Sequence, residues 1–414
     1  MRWPAGSITS RGVNIGAPSA SQPQYASDAW QRKVLKESQA LRKLLSHFSA
    51  AFHLPSCDGW VRPGKRLIVF FAGVAWSETG GGQRSVQLTK ALLELGCQVL
   101  FFSNSASHEE PGLEGLQYFG FLPYPDAGLS PQQDDLFIES ALAAAGQAAT
   151  GKAAVFEFPC RGFEKLLSLA KSLGFTTAYD IIDLWSEFHH ATWYDRATEK
   201  ALLEGCDKVF YTSRALAAAR GKHLPNAGDF GLFGQASGPP PGDVFSGQAT
   251  LGYWGSLDPS YAPWFDWELL DYVASQRPGW ELNLIGPARE KFETPSQRRN
   301  IHYLGPRKIQ ELPAYLAAFD VCLVPFRRGA LSAAVDPIKV YEYLAGGKPV
   351  AAANLPEVQG RPGVWCAEGK EQFVQAIEEA LDSPPDSEAL RAFARENSWG
   401  ERARQLLQGL GFAG

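Results

Sequence analysis

The chain has little cysteine for its length, 6 in 414 residues. Cys57, Cys97, Cys160, Cys206, Cys322 and Cys366 are scattered, with no CxxC pair and no histidines clustered beside them. This spacing excludes a zinc ribbon or a disulfide framework and predicts a reducing, cytoplasmic setting. A basic surplus is missing too. A formal net charge of −5 excludes a general nucleic-acid binder. Small phosphorylated ligands stay open, because a few local cations hold them. No apolar run approaches the ~20 residues that cross a bilayer; the best, LIVFFAGVAW at 67–76, is half as long. The opening MRWPAGSITSRG lacks the apolar core of a secretory signal. What is left is a soluble chain of ordinary composition, long enough to be divided into two domains.

Residues 1–26 are rich in Ser, Pro, Gly and Ala without periodicity and read as a poorly ordered arm. Over 27–60 a helical extension is expected. Trp30, Val34, Leu41, Leu45, Phe48 and Phe52 form one stripe, and Arg32, Lys33, Lys36, Arg42 and Lys43 lie on the other face. Such a helix either touches a membrane surface or an acceptor, or packs on the first domain with a solvated basic face. From Arg66 a β-loop-α-β unit appears: RLIVFF, a glycine loop, QRSVQLTKALLELG, then CQVLFF. Strands AAVFEF, TTAYDII and KVFYTS continue a parallel doubly wound sheet. The Gly/Pro-dense stretch at 228–249 reads as a flexible link, and a second α/β series follows it. The expected division is a Rossmann-like domain over 61–230, a linker over 231–249, a second Rossmann-like domain over 250–398, and a crossover helix over 399–414. Two such domains predict a ligand in the cleft between them, at the carboxyl ends of their strands.

One stretch of the second domain carries chemistry on its face. In DPIKVYEYLAGGKPV, at 336–350, Asp336 can cap a helix, Pro337 suits its first position, and Gly346–Gly347 ends it. Lys339 and Glu342 are three apart and therefore neighbours on one face. A helix N-terminus with a lysine favours phosphate oxygens, so Lys339 is a candidate for a diphosphate. Glu342 could accept the hydroxyls of a ribose. A solvated Lys–Glu pair worth ~0.2–0.5 kcal/mol fits the segment alone equally well.

In the first domain, the loop AGVAWSETGGGQR precedes a helix, and Gly81 and Gly82 would let backbone N–H groups approach an anion or substrate. It is no dinucleotide fingerprint, because GxGxxG is absent and the second strand ends in Ser and Asn. Asp180 and Asp183 flank the end of TTAYDII, where a carboxylate could handle the proton of an acceptor hydroxyl. Glu187 and His189 stand behind them. Asp183 could equally cap the next helix.

These segments together resemble the GT-B glycosyltransferases, especially the retaining glycosyltransferase family 4. YEYLAGGKPV is similar to that family's nucleotide-sugar signature, and GGGQRSVQLTKALLELGCQV to its first loop and helix. YDIIDLWSEF, SRAL, LPNAGD, NIHYLG and ELPAYLAAFDVCLVPF follow in the family's order, and the resemblance covers most of 66–412. Two departures stand out. Members carry two glutamates eight positions apart, but Ala334 occupies the first position here, leaving Asp336 as the nearest acid for the sugar hydroxyls. Members also place an Arg and a Lys after the second domain's first strand, where GYWGSLDPSYAPWFDW has no basic residue. The diphosphate would then fall to Lys339, the helix N-terminus and Arg327 or Arg328 after VCLVPF.

The resemblance further implies that the loop after YLG, with Arg307 and Ile309, meets the base chiefly by backbone. It implies transfer from a nucleoside-diphosphate sugar, UDP-linked by preference, to a hydroxyl of a glycan, lipid-linked or small-molecule acceptor. Retention of configuration is expected, with no metal and no other cofactor. Two rivals share the fold: a catalytically silent nucleotide-sugar-binding or scaffolding protein, and a sugar-nucleotide epimerase. The expected location is cytoplasmic, with peripheral membrane contact through 28–52 as the alternative that the basic helix suggests.

Overall fold

The protein's structure is a computed structural model, and it describes residues 60–76, 82–104, 112–121, 142, 146, 149–187, 194–259, 262–287 and 294–412. The arm at 1–26, the basic helix at 28–52, Gly81 and His189 lie outside the described residues.

Two parallel sheets form. The first contains β1 (Arg66–Ala72), β2 (Gln98–Asn104), β3 (Leu116–Phe121), β4 (Gly151–Phe156), β5 (Thr176–Ile181), β6 (Lys208–Tyr211) and β7 (Lys222–His223), in the order β3-β2-β1-β4-β5-β6-β7. The second contains β8 (Ala249–Trp254), β9 (Trp280–Ile285), β10 (Ile301–Gly305), β11 (Val321–Val324), β12 (Val350–Ala353) and β13 (Val364–Ala367), in the order β10-β9-β8-β11-β12-β13. The central strands are covered on both faces, which explains why β1, β8 and β11 read as unbroken apolar runs rather than alternating ones. In each sheet the winding reverses once, between β1 and β4 and between β8 and β11. Crevices for ligands open at such reversals.

The helices between strands are amphipathic and capped where the sequence has a short polar residue. Asp195 caps α3 (Arg196–Gly205) by accepting from Thr198, and Asp266 caps α5 (Trp267–Gln276) by accepting from Leu269. Before them come α1 (Arg84–Glu94) and α2 (Phe163–Ser172), with the one-turn α4 (Phe230–Phe233) following α3. After α5 come α6 (Leu312–Ala318), α7 (Ala330–Ala333), α8 (Ile338–Ala345), α9 (Lys370–Asp382), α10 (Ser387–Glu396) and α11 (Trp399–Leu410). The turn after α8 requires Gly347, whose φ is +72° and whose added Cβ would lie 2.9 Å from Ser387.

Two features depart from expectation. Asp336 does not cap α8; the helix starts at Ile338 with Pro337 before it and no side-chain cap. The stretch 228–249 is not a free link either. Phe245 exchanges hydrogen bonds with Asn283, Asp243 holds Arg307 and Tyr315, and Gln248 donates to the Gly279 carbonyl. These contacts clamp the link's second half to the second domain, so any hinge narrows to the segment around 225–229.

The domains also touch directly. α11 packs Trp399, Ala403, Leu406, Leu407 and Leu410 into the first domain's core beside Ile68, Val86 and Leu88. Ala334 joins the first domain's other cluster with Trp185 and Leu216. The buried Glu357 carboxylate accepts the Arg214 backbone N–H at 2.6 Å.

Candidate active site

The donor half is built at the reversal of the second sheet. α8 follows β11, and its first turn carries Lys339 over the ends of β8 and β11. Lys339 Nζ lies 5.4 Å from the centre of the Tyr253 ring and 5.0 Å from that of Phe326. Among the described residues this ammonium has no hydrogen bond or ion pair. Burial outweighs the attraction of Glu342 and lowers its pKa to about 8. Glu342, one turn on, is buried and accepts a hydrogen bond from Trp254 Nε1 at 2.9 Å. Burial pushes its carboxyl up to about 7, against the Trp254 hydrogen bond and the charge of Lys339. The pair is thus an ammonium and a carboxyl one helical turn apart, each short of hydrogen-bond partners among the described residues.

Around them the strand ends are bare backbone. β8 runs into Gly255 and β9 into Gly286, with φ of +145° and +154°. The loops touch: Gly255 N donates to the Ile285 carbonyl at 2.9 Å, and a Cβ on Gly286 would stand 1.8 Å from the Gly255 oxygen. No side chain could occupy that rim, so a ligand can lie close to the peptide groups. Neither glycine was singled out from the sequence, although WGS and LIG directly after apolar strands carried the signal.

Several predicted site residues have other occupations. Asp336 does not face a sugar. Its side chain is fully buried and engaged by Arg361 at 2.7 Å, the Asn226 backbone N–H at 2.7 Å and the Tyr341 hydroxyl at 3.0 Å. No acceptor capacity is left facing the cleft. Arg307 is bound to Asp243 and donates to the Tyr315 hydroxyl at 2.6 Å, so its side chain fastens the linker, and only its backbone remains for a base. Ile309 is a core residue. Arg327 follows β11 as expected, but its guanidinium reaches Asp266 and Glu268 at the start of α5. Trp254 is also core, and its indole N–H donates to Glu342.

The acceptor half lies at the end of β5. Asp180 is not a free base: it is completely buried and receives Arg84 through Nε at 2.8 Å and Nη2 at 3.2 Å. Asp183 is different. It is half-buried, has no hydrogen-bond or ion-pair partner among the described residues, and is pushed up to about 7 by burial. It caps no α-helix; the one-turn helix after it is Trp185–Glu187, with Glu187 exposed. Gly82 opens the turn into α1, whose first residue is Arg84. Sequence reasoning missed Glu157 at the end of β4, buried beside the Arg84–Asp180 pair. Burial first, then the charge of Asp180, pushes it up to about 8. Nothing in the apolar run AAVFEF separates that glutamate from a solvent-facing one.

Residues 248–383 match the family described as Glycosyl transferases group 1. A Bacillus subtilis (strain 168) protein named as a teichuronic acid biosynthesis glycosyltransferase, TuaH, is 26% identical over 265 residues. That match covers 56% of this chain and 65% of TuaH. Among solved structures, a glycosyltransferase from Rickettsia africae ESF-5 superposes with a TM-score of 0.61 at 12% identity, over 84% of this chain and 98% of that one. Anabaena HepE, solved with UDP and glucose, superposes with a TM-score of 0.59 at 14% identity, over 84% of this chain and 99% of that one. At such identities the likeness is one of fold. Among the described residues no helix is long and apolar enough to cross a membrane.

Proposed function

We infer that this chain, whose second domain is of the group 1 glycosyltransferase family, moves a sugar from a nucleoside-diphosphate donor to an acceptor hydroxyl. One observation carries the reading. Lys339 offers an ammonium with no hydrogen bond or ion pair among the described residues, at the reversal of the second sheet, beside the N-terminus of α8 and one turn before Glu342. A diphosphate satisfies the cation and the first N–H groups of α8, and a ribose satisfies the open side of Glu342. UDP is the favoured nucleotide, in keeping with the ligands of the HepE structure.

The sugar then extends toward the first domain, where Asp183 waits. In the transfer the acceptor oxygen bonds to the anomeric carbon, the carbon–phosphate-oxygen bond breaks, and the diphosphate departs with the electron pair. Lys339 stabilises the charge that builds on it. With retention, the acceptor proton passes to the leaving phosphate oxygen, and Asp183 orients the hydroxyl. With inversion, Asp183 takes the proton itself, for which a carboxyl near 7 is well matched to neutral pH. No step needs a metal.

Ala334 favours a second reading, nucleotide-sugar binding without transfer. Its methyl is buried in the first domain's core where relatives of the resembled family carry a glutamate. The experiment that separates the two is a panel of nucleotide sugars. A donor at 100 times its dissociation constant should stabilise the fold by ~2.7 kcal/mol. Sugar release or transfer with that donor, lost in Asp183→Ala and Glu342→Ala, supports the enzyme. Stabilisation without turnover supports the binding protein, and no stabilisation by any nucleotide sinks both.

A further inference from the structure

Asn226 is where the two halves of the proposed site are joined. It sits in LPNAGD, between β7 and α4, and it is buried. All four of its polar groups are in use. Its backbone N–H donates to Asp336 Oδ2 at 2.7 Å, and its Nδ2 donates to the Asp336 carbonyl at 2.7 Å. Its Oδ1 accepts from Arg84 Nη1 at 3.1 Å, and its carbonyl accepts from Arg402 Nε at 3.2 Å. One uncharged residue therefore contacts the first domain through α1, the second domain just before α8, and the crossing helix α11.

Each of those partners is itself fixed, and two of them lead to a site residue. Arg84 is bidentate on Asp180, three positions before Asp183. Asp336 is held by Arg361 and Tyr341, three positions before Lys339. The path from the acceptor carboxylate to the donor lysine thus runs through buried, directional hydrogen bonds. Of the other direct contacts between the domains, the Arg214 backbone N–H donated to Glu357 at 2.6 Å is also directional, whereas those of Ala334 and of the Arg214 side chain are less specific. Ala334 contributes a methyl group, and the Arg214 side chain reaching Glu357 is mostly solvent-exposed. Apolar packing tolerates rotation and sliding. A primary amide that must give a proton to one domain and accept one from the other does not.

We propose that Asn226 is a positioning residue that sets the register of the acceptor half against the donor half; this rests on the transferase reading above. Asn226 touches no substrate. The full chain with Asn226→Ala loses both side-chain bonds. Asn226→Asp keeps the size and the acceptor for Arg84 but turns an oxygen toward the Asp336 carbonyl in place of the donor, so it breaks the side-chain tie to the second domain while keeping the one to the first, and it stands as a second variant should the alanine protein fail to fold. In folded variant protein, UDP affinity by calorimetry stays within about twofold, because the donor half is intact. Transfer at saturating donor falls on the order of 100-fold, the cost of a displacement near 1 Å, while hydrolysis of the donor by water persists. Distances between spin labels placed one on each domain shift or broaden in both variants.

A merely structural role lowers the melting temperature and leaves the folded fraction with the wild-type ratio of transfer to hydrolysis and the wild-type interdomain distances. That result overturns the proposal. If the wild type neither binds UDP nor consumes any donor, the transferase reading is what has failed, and the interdomain distances alone decide: a shift retains the register role and unchanged distances remove it.

Discussion

Replacing Lys339 by methionine tests the centre of the donor half. The change keeps most of the stem that lies against Tyr253 and Phe326 and removes the charge. Because no carboxylate among the described residues forms an ion pair with this ammonium, deleting it breaks none of them, and the free protein should be little altered. A bound phosphate oxygen, by contrast, loses a charge-assisted hydrogen bond worth about 1.5–3 kcal/mol. UDP affinity should therefore fall roughly 10- to 150-fold, whereas uridine, which has no phosphate, should lose about twofold at most.

The pH profile makes the test sharper. In the free protein Lys339 titrates at about 8, and a bound diphosphate must raise that value. Wild-type affinity should then decline above pH 8, by up to about tenfold per pH unit until the bound value is passed. The methionine variant has lost that titration and should show no decline above pH 8 beyond the tail of Glu342, which is raised to about 7. Calorimetry between pH 7 and 9.5 reads both. A Lys339→Met protein that binds UDP within twofold of wild type, or that keeps the alkaline decline, refutes the assignment.

The other expectations concern the two carboxyls and the metal. The Glu342 carboxyl is raised from 4.5 to about 7, so the folded state holds a proton that the unfolded chain has released. Stability conferred by the neutral form is complete below pH 4.5 and is lost as the pH rises to 7. Glu342→Gln removes this loss, so the variant should gain stability relative to wild type, up to about 3 kcal/mol at pH 8, in urea unfolding compared at pH 4.5 and 8; a constant difference across the range would contradict it. Asp183→Asn should leave UDP affinity within about twofold while cutting transfer on the order of 100-fold or more, measured as sugar incorporation; equal loss of binding would move Asp183 into the donor half. Transfer rates should be unchanged by EDTA, and dependence on added divalent cation would show that Lys339 and α8 do not suffice for the diphosphate.

Much of this protein was legible in the chain. Strands covered on both faces are written as apolar runs, helices as stripes with Asp or Ser before them and Gly after them, and these are local patterns of a few residues. For that reason the two parallel sheets, the strand-end location of Asp180 and Asp183, and the shared turn of Lys339 and Glu342 could all be read in order. Partners could not. Trp254 meets Glu342 across 88 positions, Arg84 meets Asp180 across 96, and Asn226 meets Asp336 across 110. Asp336 looks like a helix cap or a sugar ligand until Arg361 is brought to it. Asp180 and Asp183 look alike until one receives an arginine and the other does not. Local sequence sets which groups a backbone segment presents, because propensity and periodicity act over a turn or two. Which of those groups stays free for a substrate is decided by the chain closing long loops around them, and no short-range pattern records that.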